Sequence, residues 1–339
     1  MNIKKRLELI KRNTIEIIKE EELNELLKTK KQPSVYLGTA TTGKPHIGYF
    51  LWVLKLADFL KAGFKVKLLL ADIHGALDNT PWNILDYRYK YYSKIIPLMF
   101  KAIGTNISKF EIVKGSDFQL KKDYILDILK MSSYTSVSDA KRAASEVVKQ
   151  SDNPKISGLI YPIMQALDEE YLKVDMQYGG IDQRKILMFA RENLPKVGYK
   201  PRIEFMTPLI PGLTGSKMSA SEESSKIDLL DDQETVERKV NAAFCPEGEI
   251  ENNGVLAFFK YVIFTLNNDQ GKILLIERPS KFGGNAKYKE YLDLEKDFKN
   301  KKIHPLDLKK TLAREINMLL EPIRKEFKDL DLIKKAYPN

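Results

Sequence analysis

The sequence predicts an α/β fold, with a parallel-sheet domain followed by a helical domain. Three segments, 34–38, 66–73 and 174–178, have the apolar and β-branched character of buried strands. Glycine turns and helices with one apolar face follow the first and the third of these segments. The later part of the chain shifts to charged amphipathic helices, so we expect one domain over 1–230 and a second over 231–339.

The first unit predicted within the sheet domain is strand, helix and strand over 34–73, preceded by helices over 1–30. The first strand ends in the small polar turn 39–43, and a helix begins near Pro45, because proline favours the first turn. Gly63 ends that helix. Ligands of such folds bind at the carboxyl ends of the strands, which places a candidate site at this turn.

In the middle of the sheet domain, the sequence predicts a mostly helical insertion over about 85–150. After Pro154, an apolar segment leads into an acidic helix that contains Asp168. The strand at 174–178 then ends in Gly179-Gly180, ahead of another helix. The order strand, glycine turn and helix therefore occurs twice before residue 215.

Composition restricts the class of protein. The chain has 339 residues, of which 43% are hydrophobic, and a net charge of +10, which fits a globular protein with or without a polyanionic partner. Cys245 is the single cysteine and there are three histidines, so we expect no disulfide and no structural metal site. We expect a cytoplasmic protein, since no apolar run reaches the length of a membrane helix and no signal-type core is present.

Two segments carry groups suited to a nucleoside triphosphate. The first is TGKPHIG, residues 42–48, where His46 could donate to a phosphate oxygen and Gly48 leaves room for a purine. An ordinary surface histidine after a turn has the same local pattern. The second is GSKMSAS, residues 215–221, whose Lys217 and hydroxyls could contact the pyrophosphate, although a solvated loop is the alternative.

A third group of polar residues suits an amino acid that carries a phenol. Tyr161, Gln165 and Asp168 are spaced to share one face of a helix, and Tyr36 ends the first strand. Asp168 and Tyr36 could bind the phenol hydroxyl, while an ordinary helix with a buried tyrosine explains the spacing equally well. Gly180 and Asp182 could approach a ribose, or could simply form a turn and a helix cap.

In this order, the two triphosphate segments resemble the HIGH and KMSKS signatures of the class I aminoacyl-tRNA synthetases. Longer segments resemble the eukaryotic cytosolic members of the tyrosyl-tRNA synthetase family, and the resemblance extends over 12–338. Those segments are YLGTATTGKPH (36–46), QALDEEYLKVD (165–175) and GGIDQRK (179–185).

The resemblance implies a Rossmann-type catalytic domain with a helical insertion, a helical anticodon-binding domain, and a homodimer formed through the insertion. It implies activation of L-tyrosine with ATP and transfer to tRNA-Tyr, with Mg²⁺ accompanying ATP. The tyrosine-binding residues implied are Tyr36, Tyr161, Gln165, Asp168 and Gln183. The ATP-binding residues implied are His46, Gly48, Gly180, Asp182, Lys217, Met218, Ser219 and Ser221, with His46 and Lys217 catalytic. Phe282 matches an aromatic position near the anticodon.

Two departures from the family pattern matter. Ala220 stands where many relatives have a lysine, so one cation is missing from the pyrophosphate side and a metal ion could supply it. The chain ends at Asn339, so we expect no additional C-terminal tRNA-binding domain. Three alternatives stay open: a tryptophanyl-tRNA synthetase, a non-catalytic RNA-binding protein on the same scaffold, and a nucleotidyltransferase of this fold.

Overall fold

A computed structural model of the protein describes residues 1–148, 155–213 and 226–338. Six strands in this part of the chain form one sheet; they are β1 (Glu16–Ile18), β2 (Ser34–Ala40), β3 (Lys65–Ala71), β4 (Phe110–Lys114), β5 (Met176–Gly180) and β6 (Ile203–Thr207). They lie in the order β1-β6-β5-β2-β3-β4, and only the pairing of β1 with β6 is antiparallel. The predicted parallel α/β fold is confirmed.

Helices cover both faces of this sheet. In chain order they are α1 (Ile3–Lys11), α2 (Glu20–Thr29), α3 (Phe50–Lys61), α4 (Asp72–Leu77), α5 (Leu85–Ala102), α6 (Ser116–Gln119), α7 (Lys122–Tyr134), α8 (Val137–Ala144), α9 (Ile156–Tyr171) and α10 (Arg184–Asn193). Over residues 85–148, the described part of the insertion predicted over about 85–150, the regular elements are helices apart from β4. Gly63 follows α3 with a φ of +89°, a conformation that favours glycine and ends the helix as predicted.

The prediction of helices over 1–30 is wrong at residues 16–18. Those residues form β1, which pairs with β6 from Glu16 opposite Met206 to Ile18 opposite Glu204. The two isoleucines favour a strand, and the pairing occupies a sheet edge that would otherwise expose unpaired peptide groups. Long-range pairing therefore overrides the local helical pattern.

The two faces of the sheet differ in chemistry. Along β2, Val35 and Leu37 point into the large apolar core beneath α3 and α5, whereas Tyr36 points to the opposite face. The parallel register places Tyr36 beside Gln177 of β5, and Gln177 beside Glu204 of β6. This row of polar side chains, on the face opposite the large core, positions the candidate site.

The C-terminal part is mostly helical, as predicted. Its helices are α11 (Gln233–Asn241), α12 (Gly254–Phe258), α13 (Phe264–Gln270), α14 (Tyr291–Lys299), α15 (Pro305–Glu326) and α16 (Leu330–Ala336), and a two-stranded antiparallel sheet joins β7 (Leu274–Ile276) to β8 (Ala286–Tyr288). The sequence did not predict this small sheet. Among the described residues, no helix is both long and apolar enough to cross a bilayer.

Candidate functional site

The side chains predicted to hold a phenol lie together between the sheet and α9. Tyr36 is fully buried, and its hydroxyl donates to the backbone oxygen of Gln165 at 3.3 Å. Burial, followed by the charge of the nearby Asp168, raises the pKa of Tyr36 well above its ordinary value. The tyrosine therefore remains a neutral hydroxyl whose oxygen can still accept a hydrogen bond.

Asp168 is the acidic member of this cluster, with 1% of its surface exposed. Its Oδ1 accepts from Gln119 Nε2 and from the Tyr124 hydroxyl, each at 2.8 Å. Burial raises the pKa of Asp168 to about 7, although these two donors favour the ionised form. Within the described residues, Asp168 and Tyr36 do not hydrogen-bond to each other.

The predicted helix face exists. α9 runs without a break from Ile156 to Tyr171 through Pro162, so Tyr161, Gln165 and Asp168 lie on one continuous helix. Gln165 Nε2 donates to Gln183 Oε1 at 3.1 Å, which brings together two of the side chains assigned to the substrate ammonium group.

Sequence reasoning missed three partners of Asp168: His74, Gln119 and Tyr124. The His74 ring packs edge-on against Tyr161 with 4.6 Å between ring centroids, and its Nε2 lies 3.8 Å from Asp168 Oδ2. His74 is the third residue of α4, which begins directly after β3 at the carboxyl end of a parallel strand, a position that could have pointed to it. Gln119 and Tyr124 belong to α6 and α7, and no motif in the sequence marks them.

His46 lies at the start of a single helical turn, Ile47–Gly48–Tyr49, that leads into α3. Its Nδ1 accepts from the backbone N–H of Gly48 at 3.2 Å. Burial, with a smaller contribution from the charge of Lys226, lowers the pKa of His46 to about 3. The imidazole is therefore neutral, and because Nδ1 is an acceptor, its proton lies on Nε2, where it can be donated.

The segment that follows the second triphosphate motif lies against the first. His46 forms an isolated antiparallel bridge with Asp228, and Ile47 N–H donates to the Ile227 oxygen at 2.9 Å. Lys226, also buried, contributes positive charge beside His46. Lys217, Met218, Ser219 and Ser221, together with Ala220, lie outside the described residues.

The two glycines at the end of β5 lie in close contact with side chains of the turn that follows. A Cβ on Gly180 would lie 2.5 Å from Asp182 Oδ1, and one on Gly179 would lie 2.9 Å from Gln183 Cβ. Both glycines therefore allow the following turn to fold back onto the strand. Asp182 and Gln183 are held at the carboxyl edge of the sheet in this way.

Phe282 lies far along the chain, in the turn Ser280–Phe282 between β7 and β8. Its side chain is 61% exposed, and Lys281 Nζ lies 4.9 Å from the ring centroid. An exposed aromatic ring beside a lysine has the chemistry to stack on a nucleobase. Among residues 1–148, 155–213 and 226–338, no group of three histidine, cysteine or acidic side chains is placed to hold a metal ion.

Behind Tyr36 lies a pair of buried carboxyl groups, Glu169 of α9 and Glu204 of β6. Both residues are fully buried, and none of their four carboxyl oxygens has a hydrogen-bond partner in the described part of the chain. Burial raises the pKa of each carboxyl well above its ordinary value, and for Glu204 the charge of Glu169 raises it further. This pair therefore favours the protonated form in the folded protein.

We expect Glu204→Gln to stabilise the protein at about pH 8 by roughly 1–3 kcal/mol and to have little effect at about pH 5. The folded-state pKa lies above the unfolded value, so folding retains a proton, and stability falls as pH rises above the unfolded value of 4.5. Glutamine cannot ionise and avoids this loss. Urea unfolding at both pH values measures the effect, with the exposed Glu111→Gln as control. A destabilised Glu204→Gln at the higher pH would contradict the assignment.

Comparisons with known proteins agree with the geometry. The sequence profile of the tRNA synthetases class I (W and Y) matches residues 28–321. The chain is 51% identical over 338 residues to the cytoplasmic tyrosine--tRNA ligase of Danio rerio, covering 98% of this chain and 63% of that protein. It is 47% identical to the cytoplasmic enzyme of that name from Saccharomyces cerevisiae, covering 97% of this chain and 87% of the other. The chain therefore spans 63% of the length of each of these vertebrate relatives.

A solved structure is similar along nearly its whole length. The tyrosyl-tRNA synthetase of Archaeoglobus fulgidus, complexed with L-tyrosine, superposes with a TM-score of 0.88 at 42% sequence identity. The match covers 96% of this chain and 99% of that one. The sheet, the helices over both faces and the C-terminal helices are therefore shared with a protein that binds an aromatic amino acid.

Proposed function

The chain belongs to the tRNA synthetases class I (W and Y), and we propose on this premise that it is an ATP-dependent tyrosine--tRNA ligase. The carboxylate of L-tyrosine attacks the α-phosphate of ATP, giving tyrosyl-adenylate and pyrophosphate. The terminal ribose of tRNA-Tyr then takes the tyrosyl group and AMP leaves. We propose a cytoplasmic location from the names of the relatives.

The observation that carries the proposal is the buried Asp168 carboxylate beside the Tyr36 hydroxyl. A phenol oxygen between them would donate to Asp168 and accept from Tyr36, whose hydroxyl would turn from the Gln165 oxygen to the ligand. Phenylalanine has no hydroxyl and would make neither of these two hydrogen bonds to the buried groups. Tyr161, Gln165 and Gln183 would receive the ammonium group.

The first chemical step needs positioning and charge stabilisation more than a protein nucleophile. His46 Nε2–H would donate to the phosphate oxygens, and Gly48 would leave space for the adenine. Gly180 and Asp182 would contact the ribose. Lys217, with Met218, Ser219 and Ser221, would bind the pyrophosphate, and Mg²⁺ would enter with ATP.

ATP–pyrophosphate exchange across the twenty amino acids, with and without tRNA, tests the function. We expect exchange with tyrosine and none above background with phenylalanine or tryptophan. Exchange with tryptophan would instead identify a tryptophanyl-tRNA synthetase. No exchange with any amino acid would favour an RNA-binding protein without catalytic activity.

We also propose a catalytic domain over 1–230 and an anticodon-binding domain over 231–339. Phe282, exposed beside Lys281, would stack on an anticodon base. Charging assays with tRNA-Tyr would test this role, since Phe282→Ala should raise KM for tRNA and leave tyrosine-dependent exchange unchanged.

We propose that the chain forms a homodimer through the insertion at about 85–150. Exposed apolar side chains are concentrated there, which supports an interface with a second copy. They are Tyr87, Leu120, Ile125, Leu126, Leu129, Tyr134 and Val137, of which all but Tyr87 lie within 120–137. On α7, Ile125 and Leu129 are one helical turn apart, so they share a face.

We expect Leu129→Asp to weaken the dimer by about 30–1,000-fold, because burying an unpaired carboxylate at an interface costs roughly 2–4 kcal/mol. Leu129 is 63% exposed in the single chain, so the folded monomer should tolerate the change. Sedimentation velocity over a concentration series measures it. Leu292→Asp, at a 70% exposed position of α14, is the matched control. A monomeric wild type, or equal effects of both variants, would refute the interface.

A further inference from the structure

The peptide carbonyls of the turn before His46 are held by side chains from distant parts of the chain. Arg88 of α5 donates through Nη1 to the Thr41 oxygen at 3.3 Å and to the Thr42 oxygen. The same nitrogen lies 3.2 Å from Thr80 Oγ1, which directs the guanidinium group toward the turn. Two successive carbonyls are thus oriented toward α5.

The next carbonyl, that of Gly43, has two donors. The Tyr92 hydroxyl of α5 donates to it at 2.6 Å, and the Tyr337 hydroxyl, just beyond α16, donates at 2.8 Å. Burial raises the pKa of both phenols, so both remain protonated donors. The end of the described chain therefore reaches back to a residue 294 positions earlier.

Arg88 also holds the segment that supplies Tyr337. Its Nε donates to the Ala336 oxygen at 3.0 Å, and its guanidinium carbon lies 4.7 Å from the centroid of the Tyr337 ring. The Tyr337 ring also packs edge-on against Tyr91, at 5.7 Å between centroids. Arg88 and Tyr337 therefore contact each other, and both donate hydrogen bonds to carbonyl oxygens of the turn.

These hydrogen bonds to the carbonyl groups also set the direction of the N–H groups on the opposite side of the turn. In a planar trans peptide, a carbonyl and the following N–H point in opposite directions. The carbonyl groups of residues 41–43 point toward α5 and Tyr337. The N–H groups of residues 42–44 therefore point away from α5 and Tyr337. None of these three N–H groups donates to an acceptor within the described residues. Successive free N–H groups on one side of a turn form an anion-binding surface.

We propose that Arg88 and Tyr337 are positioning residues for the triphosphate, because they orient the 42–44 N–H groups toward it. This inference rests on the proposed function, in which ATP binds beside His46. It makes phosphate binding depend on the docking of the segment after α16. Neither residue touches ATP; each acts through the carbonyl groups of the turn.

The test compares Tyr337→Phe and Arg88→Gln with wild type, measuring Mg·ATP affinity by calorimetry and KM in pyrophosphate exchange. Loss of the Tyr337 hydroxyl should weaken ATP binding by about 3–10-fold, and loss of the Arg88 guanidinium by about 10–100-fold. KM for tyrosine should stay within about twofold in both variants. Phenylalanine keeps the packed ring, so Tyr337→Phe remains a test if Arg88→Gln fails to fold.

Lys94→Ala provides the matched control. Lys94 Nζ pairs with Asp329 Oδ2 at 2.7 Å between α5 and the start of α16, without contacting the turn. We expect unchanged ATP affinity in this variant. Unchanged ATP affinity in Tyr337→Phe, an equal effect of Lys94→Ala, or a parallel rise in KM for tyrosine would overturn the proposal. If wild type gives no exchange with any amino acid, the proposed function fails, while calorimetry with Mg·ATP still decides the positioning role.

Discussion

Asp168→Asn should lower kcat/KM for tyrosine in ATP–pyrophosphate exchange by about 10²-fold, while KM for ATP changes by less than about twofold. The substitution keeps the shape of the side chain but replaces a charged acceptor with a neutral amide. The phenol hydroxyl then loses its charge-assisted hydrogen bond in a site where Asp168 is 1% exposed. Tyr36→Phe should lower the same ratio by a smaller factor, since its hydrogen bond is between neutral groups.

The pH dependence of tyrosine binding provides a second test of Asp168. Its pKa is raised to about 7, so the carboxylate forms as pH rises through that value. A donated phenol hydrogen bond favours the carboxylate, so KM for tyrosine should rise as pH falls below about 7, by at most about tenfold per pH unit. Asp168→Asn should abolish this dependence. A wild-type KM that is flat across the same range, or a variant that retains the slope, would remove the pocket assignment.

The partners of Asp168 offer a control for its orientation. Gln119 and Tyr124 both donate to Oδ1 and hold that oxygen in place. Tyr124→Phe removes one of these donors and keeps the ring in its packed position. We expect a moderate rise in KM for tyrosine, and a higher pKa for Asp168 because a donor that favours the carboxylate is lost. The midpoint of the pH profile should therefore move upward.

His46→Ala should reduce kcat of pyrophosphate exchange by about 10²–10³-fold, with little change in KM for tyrosine, because a positioned donor is lost where charge develops. The neutral His46 carries its proton on Nε2, since Nδ1 accepts from Gly48. His46→Gln, which retains an amide donor, should recover part of the rate. Stopped-flow measurement of adenylate formation separates this effect from tRNA charging.

The lowered pKa of His46 distinguishes a neutral imidazole donor from a charged imidazolium. His46 has a pKa of about 3, so its charge does not change across the neutral range, and we expect it to contribute no limb to the pH–rate profile. A limb between about pH 6 and 7 that disappears in His46→Ala would show instead that the imidazolium acts. The neutral-donor mechanism would then be wrong.

His304→Ala is the matched control for His46→Ala. The exposed His304 precedes α15, and its Nδ1 accepts from the backbone N–H of Leu306 at 3.2 Å, in the same local arrangement as His46 and Gly48. Both substitutions remove one such hydrogen bond, but only His46 lies beside the proposed phosphate site. Equal losses of exchange activity in the two variants would mean that local helix stability, not phosphate contact, explains the effect.

Local sequence patterns predicted much of the sheet domain. Strand β2, the glycine that ends α3 and the helix that contains Asp168 were all predicted, because side-chain periodicity and glycine conformation act over a few residues. That this helix begins at Ile156 and runs through Pro162 was not predicted. The residues of α9 at helical spacing were predicted to share a face for the same reason. The helix prediction was wrong at residues 16–18, because pairing with β6, far along the chain, decided their conformation.

Taken alone, the sequence determined the order of strand, glycine turn and helix around β2 and β5, the family, and the residue types from which a triphosphate site and a phenol site could be built. The tertiary structure alone decided what those residues contact: Gln119 and Tyr124 on Asp168, Glu204 behind Tyr36, and Tyr337 on Gly43. The physical reason is the separation along the chain over which each effect acts. Periodicity and backbone preference act between neighbours, whereas these contacts join residues dozens to hundreds of positions apart and form only when the sheet and its helices pack.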